Sequence, residues 1–307
     1  MTHVSATVTV VVVTFNSAHL LPAFVASLGP GLGEVPWHLV VADNASADGT
    51  VELLRELAPE AKIVEMGRNA GYAAGINAAV QAAGASGPTM VLNPDVRLDP
   101  GCVPELLRVL EEEGAGIAVP RLTDADGRLT MSMRREPTVL RAAADALIGG
   151  RRAGRIPLLG EHITDPRRYD RPTTTDWAEG STQLISAACL AACHPWDESF
   201  FLYSEETDFH LRAGDAGFTI RFVPTAGAVH LGGESATSPA LWSLLVANRV
   251  KLFAQRHGRA ETTLYWAMLL LREGTRALLG KETSRRATRT LLHPRRLTGS
   301  RGPGWVA

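Results

Sequence analysis

The chain begins with a run, Thr7–Phe15 (TVTVVVVTF), that is apolar at most positions and dominated by β-branched side chains. Continuous apolarity, rather than strict alternation, predicts a strand covered on both faces. Three more short apolar runs follow at Trp37–Asp43, Ala61–Glu65 and Thr89–Leu92. Segments with helical spacing separate them. One is capped by Ser17 and runs to about Leu28, one passes through Glu52-Leu53-Leu54, and an Ala-rich one ends near Gly84. Another, over Pro104–Glu113, follows the fourth strand. Strand and helix in this alternation predict an α/β fold with a doubly wound, mainly parallel sheet and right-handed crossovers.

The second half is less regular. Arg151–Arg171 holds six Arg against three acids with Gly and Pro interspersed, and is expected to be a long surface loop or a lid. An apolar stretch at Leu184–Ala192, an acidic helix start at Glu205–Asp208, a strand at Thr219–Val223 and a turn at His230-Leu231-Gly232-Gly233 follow. From Pro239 to about Gly280 the pattern is helical, broken at His257-Gly258. Lys281–Ala307 has little periodicity and is expected to be frayed.

With 307 residues, 45% hydrophobic and 21% charged, the chain has a globular composition that excludes disorder, collagen and coiled coil. Its three cysteines, Cys102, Cys189 and Cys193, cannot make a disulfide framework; buried reduced thiols and a reducing compartment are expected. The net charge of −1 conceals an asymmetry: residues 251–307 carry twelve Lys or Arg against three Glu, so an acidic body precedes a basic tail. Such a tail suggests an anionic partner. The acidic body and an aromatic content of only 6% argue against nucleic acid. No secretory signal or membrane-spanning run is visible, so a cytoplasmic protein is expected.

In doubly wound sheets, ligands sit beyond the carboxyl ends of the strands. Thr14–Asn16, Asp43–Ser46, Arg68–Tyr72 and Asn93–Asp95 all follow strand ends, so four polar clusters should meet on one edge. There is no P-loop, zinc-protease helix or nucleophile elbow, and the first strand-to-helix turn has no glycine, which removes a dinucleotide fingerprint. Asn93-Pro94-Asp95 serves either as a plain turn or as a carboxylate placed to hold a divalent cation. Glu205, Glu206 and Asp208 either favour a helix N-terminus or repel one another toward the raised pKa values of a general base. His230 is either a loop imidazole or, if it approaches Asp95, part of a metal site.

Together and in this order, these segments resemble the family 2 inverting glycosyltransferases of GT-A fold, and most of all their rhamnosyltransferase-like branch. The resemblance rests on Val11–Ser17, Val41–Thr50, Asn69–Asn77, Leu92–Val96, Trp177–Ser181, Phe200–Asp208 and Val229–Ser235. It implies a GT-A domain over 1–255, followed by a basic helical extension and tail over 256–307. It places Thr14, Asn16, Asp43, Arg68, Asn69, Gly71, Asn77 and Asn93 along the nucleotide and diphosphate. Asp95 and His230 would hold Mg2+ or Mn2+. Glu206, with Glu205 or Asp208 contributing, would be the base that deprotonates the acceptor. Trp177, Gly180 and Ser181 would form the donor/acceptor loop. The resemblance further implies a dTDP-L-rhamnose donor and a glycan or lipid-linked acceptor. The basic tail has two readings of its own: Leu264-Tyr265-Trp266 and Met268–Leu271, followed by Arg272, Arg276 and Lys281, either lie on anionic lipid at the inner face of the cell membrane as a peripheral contact, or form a packed helix with a solvated basic end. Two alternatives stay open: a UDP-hexose or UDP-N-acetylhexosamine donor, on a natural-product acceptor, and a non-catalytic sugar-nucleotide- or nucleic-acid-binding protein. Glu in place of the branch's usual Asp at 206 lengthens the base by one methylene.

Overall fold

A computed structural model describes residues 7–84, 86–232, 238–293 and Gly302. Gly233-Glu234-Ser235 of the last motif, the first six residues and most of the expected frayed tail lie outside these.

The first half follows the predicted alternation: β1 (Val8–Thr14), α1 (Leu21–Leu32), β2 (Trp37–Asp43), α2 (Thr50–Leu57), β3 (Lys62–Glu65), α3 (Tyr72–Ala83) and β4 (Thr89–Leu92). Strands run in the order β3-β2-β1-β4, all parallel. The Val-rich β1 is buried along its whole length, and its side chains divide by period two. Val8, Val10 and Val12 join one core with Phe24, Leu28 and Leu54, while Val11 and Val13 join a second with Ala73, Ile76 and Ala79. A sheet with a core on each face is what the unbroken apolar run encodes. Ser17 makes no side-chain cap; a single 3-10 turn (Ala18–Leu20) intervenes, and the helix proper begins at Leu21.

Beyond β4 come β5 (Val96–Leu98), α4 (Cys102–Glu112), β6 (Ile117–Thr123), β7 (Met133–Arg134), α5 (Val139–Ile148) and α6 (Gly150–Ala153). Then follow β8 (Thr173–Thr175), β9 (Trp177–Ala178), β10 (Thr182–Ile185), α7 (Ala187–Cys193), α8 (Glu205–Asp215) and β11 (Ile220–His230). β10 inserts antiparallel between β4 and β6, and β11 lies parallel to β6. The last strand is longer than its apolar signal and carries an irregularity between Val223 and Gly227. Its far end pairs antiparallel with β5, setting His230 opposite Val96, one residue from Asp95. β7 and β9 form a separate two-stranded ribbon.

Arg151–Arg171 is not simply a surface loop: Ala153, Ile163 and Tyr169 are buried, and the Tyr169 hydroxyl accepts from the Met133 amide and donates to the Ile163 carbonyl. α9 (Pro239–Arg256), α10 (Arg259–Leu278) and α11 (Glu282–Leu291) pack with α5 around Ala142, Val246, Phe253, Tyr265 and Leu269. α11 corrects the expectation of a frayed end. Its buried positions, Ser284, Ala287, Thr290 and Leu291, have helical spacing but are mostly small or polar, so hydropathy did not mark them. Within the stretch read as a membrane contact, part packs inward while Leu264 and Leu271 stay exposed. Tyr265 and Leu269 are buried, the Trp266 indole donates to the Leu291 carbonyl, and Arg272 pairs with Asp145 at 2.7 Å. No helix among the described residues is long and apolar enough to cross a membrane. The three cysteines are buried free thiols.

Candidate active site

The ends of β1 and β2 build the first polar cluster. Asp43, the last residue of β2, is 2% exposed. Its Oδ1 accepts from the Thr14 hydroxyl at 2.8 Å and the Ser46 hydroxyl at 2.6 Å, and its Oδ2 accepts from the Ser46 amide at 2.8 Å. Four lone-pair sites against three donors leave one acceptor position on Oδ2. Asn16 sits in the left-handed region (φ 51°), which asparagine tolerates, and its Oδ1 accepts from the Ala47 amide at 2.9 Å. Thr14 and Asn16 therefore tie the Asp43–Asp48 loop to the sheet. Arg68 is exposed beyond β3, and the Asn69 side chain receives the Gly71 amide at 3.2 Å. Gly71 needs its absent side chain: with φ +96°, a Cβ there would stand 2.4 Å from the Phe201 carbonyl oxygen.

The second cluster lines a cavity of about 180 Å³ bounded by Tyr72, Asn93, Asp95, Glu179, Gly180, Ser181, Glu205, Glu206 and His230. Asn93-Pro94-Asp95 is both a turn, joining β4 to β5, and a wall of this cavity. His230 stands between two carboxylates, with Nε2 at 3.1 Å from Asp95 Oδ2 and Nδ1 at 2.8 Å from Glu179 Oε1. Burial alone would lower the imidazole pKa, but these two hydrogen bonds and their charges outweigh it and raise it to about 10. Burial likewise pushes Glu179 up, and the proton it receives from His230 brings it below the ordinary range. Asp95 Oδ1 and Asn93 Oδ1 are buried with no hydrogen-bond partner. Two orphaned oxygens on one wall suit a hard divalent cation, which takes one or two carboxylates and fills its remaining positions with water and substrate phosphate. No cluster of three or more metal-ligating side chains stands among the described residues, and such a site needs none.

Glu206 and Glu205 open α8. Burial lifts the Glu206 carboxyl to about 7, with the Glu179 charge adding to the lift. Glu205, 3% exposed with Oε2 unpartnered, is held well above the carboxylate range by burial and by Glu206. The chain enters this helix through two successive non-glycine residues at positive φ, Tyr203 (69°) and Ser204 (75°). Strain of this kind persists only where surroundings enforce it. Asn248 of α9 supplies that restraint, its Nδ2 donating to the carbonyls of Leu202 and Tyr203, both at 2.8 Å. Opposite, Gly180 lets the 177–181 segment approach: a Cβ there would lie 2.7 Å from Glu206 Cβ. His210, pushed down to about 3 by burial, is neutral; it accepts from the Ala178 amide at 3.0 Å and donates to Gln183 at 2.6 Å, binding α8 to β9 and β10.

Three expected site residues, Asp208, Asn77 and Trp177, are not brought to this group. Asp208 lies two residues beyond Glu206, about 200° around the helix, and pairs with Arg212 at 2.8 Å in a separate depression. Asn77 sits well down α3, where its amide makes three hydrogen bonds to Trp196 and Glu198 at 2.9–3.0 Å, so it fastens the 196–198 segment. Trp177, its indole donating to the Arg135 carbonyl at 3.0 Å, lines a neighbouring cavity rather than this one. Residues the sequence reading left without a role are Tyr72, Glu179, His210 and Asn248. Glu179, a lone acid in the short segment between Trp177 and Gly180, is the one whose signal was legible.

The profile of glycosyl transferase family 2 matches residues 9–161. The N-acetylglucosaminyl-diphospho-decaprenol L-rhamnosyltransferase of Mycobacterium tuberculosis is 30% identical over 237 residues, covering 72% of this chain and 75% of that protein. The low-salt glycan biosynthesis hexosyltransferase Agl10 of Haloferax volcanii is 26% identical over 62% of this chain and 58% of its own. Among solved structures, the mannosyltransferase PcManGT from Pyrobaculum calidifontis, in complex with GDP-Man and Mn2+, aligns with TM-score 0.58 at 16% identity over 96% of this chain and 83% of that one. S. aureus TarS 1-349 in complex with UDP aligns with TM-score 0.51 at 14% identity over 93% and 90%. Both structures share the GT-A fold with this chain.

Proposed function

The chain belongs to glycosyl transferase family 2, and on that premise we propose that it transfers L-rhamnose, with inversion, from dTDP-L-rhamnose to a hydroxyl of a lipid-linked N-acetylglucosamine. The sugar and acceptor follow the mycobacterial relative, 30% identical over 72% of the chain. The observation that carries the chemistry is the position of Glu206. It forms part of the wall of two adjoining cavities, one holding Asp95 and His230, the other free of them. A base for direct displacement needs that place, between the leaving diphosphate and the incoming hydroxyl. A carboxyl near 7 is matched to proton transfer at neutral pH.

In this reading Asp43 accepts from the base with its remaining lone pair, and the loop around Gly71 lies along the ribose and diphosphate. Asp95, Asn93 and His230 would hold Mg2+ or Mn2+, which neutralises charge on the departing diphosphate. Glu179 would hold the Nδ1 proton of His230, so that Nε2, which faces Asp95 at 3.1 Å, is the nitrogen that would give up its proton to a bound cation. Glu206 takes the acceptor hydroxyl proton as that oxygen bonds to the anomeric carbon. The bond from that carbon to the diphosphate oxygen breaks on the opposite face, its electron pair leaving with the dTDP.

A lipid-linked acceptor is consistent with a peripheral membrane contact through α10 and α11. Leu264, Leu271 and Leu278 recur every seven residues and are 55%, 40% and 90% exposed, and Arg285, Arg286 and Arg289 are exposed on α11. Flotation with anionic liposomes checks this contact, and salt-insensitive or absent binding removes it. The donor is tested by thermal shift with dTDP, UDP and GDP, each with Mn2+ and with EDTA. The expected result is a metal-dependent rise largest with dTDP. A preference for UDP overturns the sugar, and no shift with any nucleotide overturns the site.

A further inference from the structure

The segment 151–171 carries six Arg against three acids, and none of these arginines lines either cavity of the active site. Its acids are already engaged. Glu161 pairs with Arg249, Asp165 with Arg167 at 3.3 Å and Asp170 with Arg121 at 3.4 Å. The acids of the neighbouring helix are engaged as well: Glu136, just before α5, pairs with Arg256 at 3.4 Å, and Asp145 within it with Arg272 at 2.7 Å.

This pairing passes over three half-buried arginines of the same region. Arg135 follows β7, Arg141 lies in the first turn of α5, and Arg168 belongs to the 3-10 turn Pro166–Tyr169. Among the described residues, each donates from its side chain to a neutral oxygen alone. Arg135 donates to the Gly160 carbonyl at 2.7 Å, Arg141 to the Glu136 carbonyl, and Arg168 to the Thr173 hydroxyl at 3.4 Å. A guanidinium carries five N–H donors, so most of this capacity stays open, and the Nε atoms of Arg141 and Arg168 are buried without a partner. The charges also feel one another. Burial lowers the Arg135 pKa and the Arg141 and Arg168 charges lower it further, against Asp176, which raises it. Like charges held together without a counter-charge are costly, and buried donors left open call for a missing partner.

We propose that Arg135, Arg141 and Arg168 form an anion site, separate from the catalytic cavities, that takes a phosphate group. Guanidinium forks match phosphate oxygens bidentately. A phosphate presents three acceptor oxygens and close to two charges, so it can meet three arginines where the two oxygens of a carboxylate cannot. The same chemistry is met free in solution or on a lipid headgroup, and Leu140, beside Arg141 and 48% exposed, leaves the second route open. Bound there, the anion joins the end of β7, the start of α5 and the 3-10 turn, and so stabilises the folded chain by mass action. The site does not depend on which donor or acceptor the transferase uses.

The test uses the full chain in EDTA, so that a metal-held diphosphate in the catalytic cavity does not contribute. One arm titrates inorganic pyrophosphate by calorimetry; the other measures co-sedimentation with phosphatidylcholine vesicles, with and without phosphatidic acid. Arg135→Gln combined with Arg168→Gln removes two of the three charges, and Arg141→Gln alone serves if that variant does not fold. Arg151→Gln combined with Arg152→Gln removes two exposed charges of the same segment as a control. The site variants are expected to weaken binding by about tenfold or more, which corresponds to ~1.4 kcal/mol, while the control stays within about twofold of the unmodified chain. The thermal shift with dTDP and Mn2+ should be the same in all of them. A loss on pyrophosphate supports the site with a soluble ligand, and a loss on phosphatidic acid vesicles alone supports it with a headgroup. The proposal is overturned if the unmodified chain binds neither probe, or if the site variants bind both within about twofold of it. It is also overturned if the control loses as much as the site variants, because net charge alone would then account for the binding.

Discussion

The clusters around Asp43 and around Asp95 are built alike and finished differently. Each places an aspartate at or just beyond the carboxyl end of a parallel strand, β2 in one case and β4 in the other. At Asp43 the protein itself supplies three of the donors the carboxylate can take, from Thr14 and Ser46. At Asp95 one oxygen shares a proton with His230 and the other has no partner, as has the Asn93 oxygen beside it. The surroundings follow the same division. The first cluster is a network of short loop hydrogen bonds, whereas the second holds raised carboxyls and an imidazole shared between two acids. Buried polar groups left unsatisfied are costly, so their concentration in one cavity marks where a ligand completes the structure. A carboxylate with one acceptor position left positions a ligand; one with a whole oxygen unpartnered waits for charge.

The largest break in this contrast should come from Glu206→Gln. With the base removed, turnover at saturating donor is expected to fall by about 10²–10⁴-fold, with nucleotide binding intact. A fully active variant would dismiss Glu206 as the base. In the unmodified enzyme the same carboxyl must be ionised to act, so kcat/KM for the acceptor should fall as pH drops below about 7. Stability has the opposite dependence. Because the folded pKa lies above the unfolded one, the contribution of Glu206 is present below the ordinary glutamate range and is lost as pH rises through about 7. The melting temperature of Glu206→Gln should therefore gain on that of the parent between pH 5 and 8, as differential scanning calorimetry can show.

Asp95→Asn comes next. It removes a carboxylate that lines the same cavity as the orphaned Asn93 oxygen and is expected to cost several kcal/mol of leaving-group stabilisation, about two orders of magnitude in turnover or more. The Mn2+ dependence of the dTDP thermal shift should vanish with it, and an undiminished metal response would separate Asp95 from the cation. Gly180→Ala should act on packing before chemistry. A Cβ 2.7 Å from that of Glu206 forces the helix start to move, at ~1–3 kcal/mol. Urea denaturation should register this, with a fall in activity alongside it. Thr14→Val should be the mildest: one neutral hydrogen bond to Asp43, ~0.5–1.5 kcal/mol, and a weaker nucleotide dissociation constant by calorimetry with turnover at saturating donor little changed. If Thr14→Val damaged turnover as severely as Asp95→Asn, the two clusters would not differ in the way described.

The parts of the fold legible in the sequence are those whose signal is local. The β1–α1 through β4 units were readable because each strand is a short apolar run and each helix has its own periodicity. Asp43, Asp95 and His230 were readable because they follow strands. Asp208 and Asn77 carried the same residue chemistry as true neighbours of the site, yet helix geometry turned them elsewhere: Asp208 toward Arg212, Asn77 toward Trp196. α11 escaped because it buries Ser284 and Thr290, side chains that hydropathy assigns to the surface. Asn248 had no sequence signal, since it matters through a contact with a distant part of the chain.

The sequence by itself therefore determined the family, the doubly wound half of the sheet and the strand-end edge. Periodicity, turn chemistry and motif order are properties of neighbouring residues. Only the tertiary structure decided which acids meet. It inserted β10 between β4 and β6 and brought the end of β11 back to β5, so that His230 stands between Asp95 and Glu179. It also pressed Gly180 against Glu206, raising that carboxyl by burial, and laid α9 across the entrance to its helix. Those events join residues tens of positions apart, and a shift of proton affinity by desolvation exists only once the chain has closed around the group.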